Sequence, residues 1–160
     1  MPELSPAGTA TASPAPDQVV EPLLALFGLF KEHADACITA AGITMPQAVA
    51  LLRLDTPLSQ RELADCLRYD ASNITGIVDG LEQLGLVERQ VDPADRRVRR
   101  IVLTDAGAEL VDRLRACLFR DEPLVGALDA DEVAQLRDLL TKAIGDREAS
   151  GWVELFRPGR

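Results

Sequence analysis

The chain is poor in aromatics, histidine, lysine and cysteine, and each shortage closes off a class of function. Aromatic residues make up 4 % of its 160 residues, so any core must be aliphatic. The single histidine, His33, stands beside Glu32 with no acid placed by sequence to orient it, and there is neither a G-x-S-x-G nor a glycine-rich phosphate loop. Catalysis is therefore not expected. Three cysteines, Cys37, Cys66 and Cys117, form an odd and widely spaced set. They outline neither a disulfide framework nor a C-x-x-C zinc pattern, so neither a metal site nor a cofactor is expected. No run of 18 apolar residues is present, which argues against a membrane span. The first residues lack the basic-then-apolar order of a secretory signal. A cytoplasmic protein is the expectation.

What is present fits a globular chain. At 47 % hydrophobic, a chain of this length supports one domain, or one domain with a dimerisation element. Arginine far outnumbers lysine, a bias resembling that of high-GC bacterial genomes. The net charge of −9 argues against indiscriminate coating of nucleic acid. Yet "VDPADRRVRR", residues 91–100, sets Arg96, Arg97, Arg99 and Arg100 close together, with Arg89 just upstream. With Asp92 and Asp95 the segment 89–100 carries +3, so the rest of the chain carries −12.

Along the chain, "MPELSPAGTATASPAP" has too few large apolar side chains to offset its ordering entropy, and residues 1–16 are expected to be a disordered tail. Helical spacing follows over 18–41, through Leu23, Leu26, Phe27, Phe30, Ala34, Cys37 and Ile38, with Gly42 at its end. "TMPQ" and "SQRE" are capping boxes, Thr44 with Gln47 and Ser59 with Glu62. Between them "DTPL" reads as a turn. Asp70 or Ser72 caps a further helix to Leu84, stopped by Gly85, with Ile74, Ile77, Val78, Leu81 and Leu84 as its buried stripe. Two short helices joined by a tight turn make a helix-turn-helix.

The outer face of its second helix, Ser72, Asn73, Thr75, Gly76, Asp79, Gly80 and Gln83, is small and polar. Small residues let a helix sit deep in a major groove, and Asn pairs with adenine edges. "LVERQV" and "RRIVL" then read as a two-stranded hairpin turning at Pro93, a wing with arginines at its tip. A basic tip can enter the electronegative minor groove while the helix occupies the major groove. Asp95 is expected to hold a neighbouring arginine.

The stretch "DASNITGIVDGLEQLGLVERQVDPADRRVRRIVLTDAG", residues 70–107, resembles the recognition helix and wing of the MarR family of bacterial transcription regulators. The family's wing pattern, D-x-R, five residues, then L-T, is met by Asp95, Arg97, Leu103 and Thr104, and "LEQLGLVER" fits as well. The resemblance covers about residues 20–146. It implies a mainly α winged helix-turn-helix fold with a helical dimerisation domain. It also implies a homodimer on an inverted-repeat operator in double-stranded DNA, and no enzymatic activity. Arg97 would be the minor-groove residue, aided by Arg96 and Arg99, with Ser72, Asn73, Thr75 and Gly76 on the reading face. Many members carry arginine where this chain has Gly76 or Gly80, which shifts affinity towards the wing. The family is usually released from DNA by a small, often aromatic or phenolic, effector. Phe30, His33, Cys37 and Arg53 are the residues expected to line its pocket.

Apolar stripes continue beyond the wing: Leu110, Val111, Leu114, Cys117 and Leu118 in a helix from Asp105 to Arg120, a break at Pro123, then Val133, Leu136, Leu139, Leu140 and Ile144 after an Asp129–Glu132 capping box. These stripes and the first helix exceed what a small winged domain buries alone. The expected organisation is a tail (1–16), an N-terminal dimerisation helix (17–43), the winged helix-turn-helix (44–104), C-terminal dimerisation helices (105–148) and a C-terminal tail (149–160). Trp152, Leu155 and Phe156 of that tail would either dock on the dimer or remain loose. Two alternatives remain open. One is a thiol redox sensor of the same fold, with Cys37 and Cys117 meeting across a dimer; the other is a winged-helix module that binds protein.

Overall fold

The computed structural model describes residues 17–120 and 126–145. The elements run α1 (Asp17–Ala40), α2 (Met45–Leu52), β1 (Leu58–Ser59), α3 (Gln60–Leu67), α4 (Ala71–Gln83), β2 (Val87–Val91), β3 (Arg99–Leu103), α5 (Asp105–Arg115), a π-helical turn (Ala116–Arg120) and α6 (Ala130–Ile144). This is the mainly helical winged fold expected from the sequence. The expected tail at 1–16, the break at Pro123 and the segment with Trp152, Leu155 and Phe156 lie outside the described residues. Among the described residues, no single helix is long and apolar enough to cross a membrane.

Local chemistry sets most helix starts. Thr44–Gln47, Ser59–Glu62 and Asp129–Glu132 all form reciprocal capping boxes, each satisfying N–H groups that an α-helix leaves unpaired. Thr104 accepts from the Gly107 N–H at the head of α5. The start of α4 differs from expectation. Asp70 occupies the N-cap position but makes no side-chain cap, and Ser72 lies inside the helix. Gly85, at φ +69°, takes the left-handed conformation that ends this helix and turns the chain into the wing.

The wing gains a third strand. β2 and β3 pair antiparallel from Val87↔Leu103 to Val91↔Arg99, and β1 adds to the other edge of β3 through Leu58↔Ile101 and Ser59↔Arg100. Two residues carry no periodicity, so only the free edge of β3, 40 residues downstream, makes "LS" a strand.

The core gathers around α2, which after Gln47 is wholly apolar and is buried from Ala48 to Leu52. Leu63, Ala64 and Leu67 of α3 pack there, with Ile74, Val78 and Leu81 of α4, Val87 and Ile101 of the wing, and Leu110, Val111 and Leu114 of α5. Leu84 departs from its expected stripe and is 51 % exposed, because α4 ends before completing that turn. From α1 only Ala34, Cys37 and Ile38 reach this core; Leu23 and Phe27 are about half exposed. α6 has no buried residue at all.

Candidate nucleic-acid interface

α3 and α4 meet at a turn through Arg68, whose φ of 54° is left-handed although it is not glycine. The Tyr69 N–H donates to the Ala64 carbonyl and closes that turn. Burial of Ile74, Val78 and Leu81 sets the rotation of α4 and turns Ser72, Asn73, Thr75 and Gly76 outward. Ser72 and Asn73 make no side-chain hydrogen bond among the described residues, so their polar groups remain available to a ligand. Thr75 is engaged: its hydroxyl donates to the Ala71 carbonyl and accepts from Gln60 of α3.

Two members of the expected face are elsewhere. A Cβ at Gly80 would lie 2.7 Å from Gln47 Nε2, so this glycine accommodates α2, not DNA. Asp79, with Glu82, binds Arg89 of β2. Gly76 does stand in open space.

The wing sorts its five arginines into two sets. Arg89 is held by Asp79 and Glu82, and Arg100 by Asp92 (2.6 Å) and Glu62. Arg96, Arg97 and Arg99 are exposed, and none of them is in an ion pair among the described residues. The basic spike thus has an anchored base and, towards its tip, three charges that no carboxylate holds among the described residues, Arg99 donating only to the Arg96 carbonyl.

Asp92 has a larger role than its turn position implied. It is 6 % exposed, its carboxylate accepts from the Ala94 N–H (2.7 Å) and from Arg100 Nε, and its own N–H donates to the Val98 carbonyl. Asp95, expected to hold an arginine side chain, instead accepts from the Arg97 backbone N–H at 2.9 Å. With the donor only two positions beyond the acceptor, the short carboxylate closes a local turn more readily than it reaches a guanidinium. Asp95 therefore sets the backbone of Arg97.

The clefts beside the wing complete a continuous face. One is lined by Gln60, Arg61, Arg97 and Arg99, and the next by Gln60, Arg61, Ser72 and Thr75. Gln60 and Arg61 at the start of α3 thus connect the helix face to the wing. In the sequence their one signal is a basic residue, Arg61, two positions after the Ser59 cap.

The anchor is acid-sensitive. The Arg100 guanidinium, together with the Ala94 N–H, holds the Asp92 carboxyl below its usual range. Glu62 is lowered by the Ser59 backbone and hydroxyl and then by Arg100, and Arg100 is raised by both carboxylates. A carboxyl lowered on folding stabilises the fold above its unfolded pKa, and the contribution is lost as pH falls through the lower, folded value. The melting-temperature gap between parent and Arg100→Ala should therefore be widest near neutrality and close below about pH 4. Thermal melts across that range test this; a gap that stays constant would mean Arg100 acts through packing alone.

A helix with outward polar groups, a basic cleft and a wing with three exposed arginines can grip a polyanionic duplex. Comparison with known proteins agrees. The MarR family model matches residues 41–98. The HTH-type transcriptional repressor NicR of Pseudomonas putida is 38 % identical over 112 residues, covering 68 % of this chain and 71 % of that protein. The chain belongs to the MarR family. Apo MarR from E. coli superposes with a TM-score of 0.63 at 27 % identity, covering 79 % of this chain and 97 % of that one. A MepR mutant from S. aureus bound to an oligodeoxyribonucleotide gives 0.63 at 26 %, covering 78 % and 94 %. YusO of Bacillus subtilis gives 0.69 at 26 %, covering 81 % and 96 %. As a MarR-family transcription regulator, the chain is not an enzyme.

The residues expected to line an effector pocket are only partly brought together. Phe30 lies half-buried one turn before His33 on α1, and Arg53 sits at the C-cap of α2 with its Nε buried. Cys37 and Cys117 are joined by a disulfide within one chain, not across a dimer as the alternative reading had it. His33 Nε2 donates to the Cys117 carbonyl at 2.8 Å and lies 3.6 Å from Cys37 Sγ.

Proposed function

We propose that this chain is a homodimeric transcription repressor that reads an inverted-repeat operator in double-stranded DNA. In this reading α4 enters the major groove through Ser72, Asn73, Thr75 and Gly76, and Arg97 enters the minor groove with Arg96 and Arg99 beside it. The observation that carries it is the sorting of the wing: three exposed arginines that are in no ion pair among the described residues, in a chain whose remainder is strongly negative. The repressor named among its relatives favours repression over activation. The site of action would be the cytoplasm. A mobility shift with the DNA beside its own gene tests the reading, and sequencing the fragments retained by purified protein identifies the operator. Retention of no preferred sequence would point to a protein-binding winged helix.

The dimer rests on uncovered apolar surface. Leu24 of α1 and Leu139 of α6 are each 64 % exposed, and Leu23, Phe27, Leu29 and Ile144 are about half exposed. Contiguous apolar faces of this kind mark interaction surfaces, and a second copy covers both helices at once. α1 with α5 and α6 would then form the dimerisation part, and residues 44–104 the DNA-binding part. Light scattering at micromolar protein should give a dimer; a soluble monomer with full operator affinity would overturn this assignment. Release by a small aromatic or phenolic effector, with Phe30, His33, Cys37 and Arg53 at its site, completes the reading.

A second reading has its own observation, the Cys37–Cys117 disulfide, which ties α1 to the turn after α5. Closing it removes two electrons and two protons, which a hydroperoxide accepts to give an alcohol and water. Operator affinity compared between oxidised and reduced protein tests it, and equal affinities would remove redox control.

A further inference from the structure

Away from the DNA face, three side chains with metal-binding atoms converge. His33 and Cys37 lie one turn apart on α1, a spacing that stacks them on one face. Cys117 approaches from the π-helical turn after α5, and the ligand atoms of all three lie within 4.8 Å of one another. We propose that, once the Cys37–Cys117 disulfide is reduced, His33, Cys37 and Cys117 form a binding site for a thiophilic divalent cation of the zinc class.

The donor set decides the class of ion. Two thiolates and an imidazole are borderline-soft ligands that suit zinc and disfavour magnesium or calcium, which take oxygen. Two thiolates with a neutral imidazole also bring a divalent ion to zero net charge. The cluster is part-buried against the core that holds Ala34, Ile38 and Leu118, surroundings that tolerate a neutral complex far better than a bare cation.

The geometry fits as well. A tetrahedral ion with Zn–N and Zn–S bonds of ordinary length places nitrogen and sulfur about 3.6 Å apart. His33 Nε2 and Cys37 Sγ are 3.6 Å apart already. The same arithmetic places two sulfurs ~3.8 Å apart, so the reduced thiols must separate, and side-chain rotation over a Cα–Cα span of 6.1 Å provides this. The hydrogen bond from Nε2 to the Cys117 carbonyl aims the ring at the sulfurs. On coordination Nε2 gives up that proton and the ring is protonated at Nδ1. Three protein ligands leave the fourth position to water, the arrangement of an exchangeable ion and not of a closed structural site.

The chemistry balances. A phosphine reductant and water deliver two electrons and two protons to the disulfide, giving two thiols and the phosphine oxide. Zinc then displaces one proton from each thiol. Because a sulfur in the disulfide is no longer a thiolate, oxidation and metal binding exclude one another. The site does not depend on the DNA-binding reading, since its ligands lie outside that face.

The test is cobalt and zinc titration of the full chain after reduction with a phosphine. Reduced protein should take up about one Co2+ per chain, with thiolate-to-cobalt charge-transfer absorption that Zn2+ abolishes and that oxidised protein lacks. Cys117→Ser should lose the band, while Cys66→Ser, at the exposed third cysteine, should keep it. His33→Gln should keep a thiolate band but weaken Zn2+ by about tenfold or more in chelator competition. Cys37 is in the core; if Cys37→Ser does not fold, Cys117→Ser and His33→Gln still decide. Reduced protein without the band, or a band that survives Cys117→Ser and disappears with Cys66→Ser, overturns the proposal.

Discussion

Alanine at position 107 should cost the protein about 3 kcal/mol or more, although alanine is the better helix former. Gly107 is buried in the first turn of α5. A Cβ there would lie 2.0 Å from the Leu86 carbonyl oxygen, 3.0 Å from its carbon and 3.3 Å from Leu103 Cδ2. That carbonyl is backbone and accepts the Thr104 N–H, while the Thr104 hydroxyl donates to the neighbouring Gly85 carbonyl at 2.7 Å. Neither side of the clash can rotate away, so α5 must lift from the junction between α4 and the wing. Helix propensity favours alanine by only about 0.8–1 kcal/mol, so the clash wins. A loss of this size in a chain of this length lowers the melting temperature by roughly 10 °C. Gly76→Ala provides the internal control. It is also helical but has nothing within 4 Å of its virtual Cβ, so it should raise stability by up to about 1 kcal/mol. Thermal melts of the two variants must diverge in sign; equal melting temperatures would refute the described packing of α5 on Leu86.

The contrast between these glycines shows what was legible in the sequence. Local signals read correctly: the capping boxes at Thr44, Ser59 and Asp129 were visible because their partners stand three residues away. The apolar stripe of α4 was visible because helical period repeats it, and it failed only at Leu84, where the helix stops. Features that depend on distant chain were not legible. Gly80 resembled a DNA-facing gap, but Gln47 of another helix fills it. The anchoring of Arg100 joins Glu62 and Asp92, and Glu62 is 38 residues away. His33, Cys37 and Cys117 looked scattered because 80 residues separate the two cysteines that the fold joins. For the wing, composition announced a basic segment, but only the fold separates the two arginines that carboxylates hold from the three that are in no ion pair among the described residues.

That separation leads to the second large effect. Replacing Arg96, Arg97 and Arg99 together by alanine should abolish measurable operator binding at physiological salt without unfolding the protein. All three side chains are exposed and in no ion pair among the described residues, so their removal leaves no buried charge stranded. A minor-groove arginine is worth about 1–3 kcal/mol, and a dimer presents six such side chains. If the parent dimer neutralises about 6–10 phosphates, the logarithm of its affinity should fall with that of salt at a slope of roughly −5 to −9. Each lost phosphate contact flattens the slope by about one, so the triple variant should retain only a shallow dependence. Arg89→Ala is the comparison that separates specific contact from bulk charge. It removes the same formal charge from the same wing, but that charge already faces Asp79 and Glu82. Its affinity should fall by less than about 1 kcal/mol and its salt slope should hardly change. Binding measured at several salt concentrations decides between the two accounts. If Arg89→Ala weakens operator binding as much as Arg97→Ala does, the wing attracts DNA by net charge alone, and the division between anchoring and contacting arginines has no functional meaning.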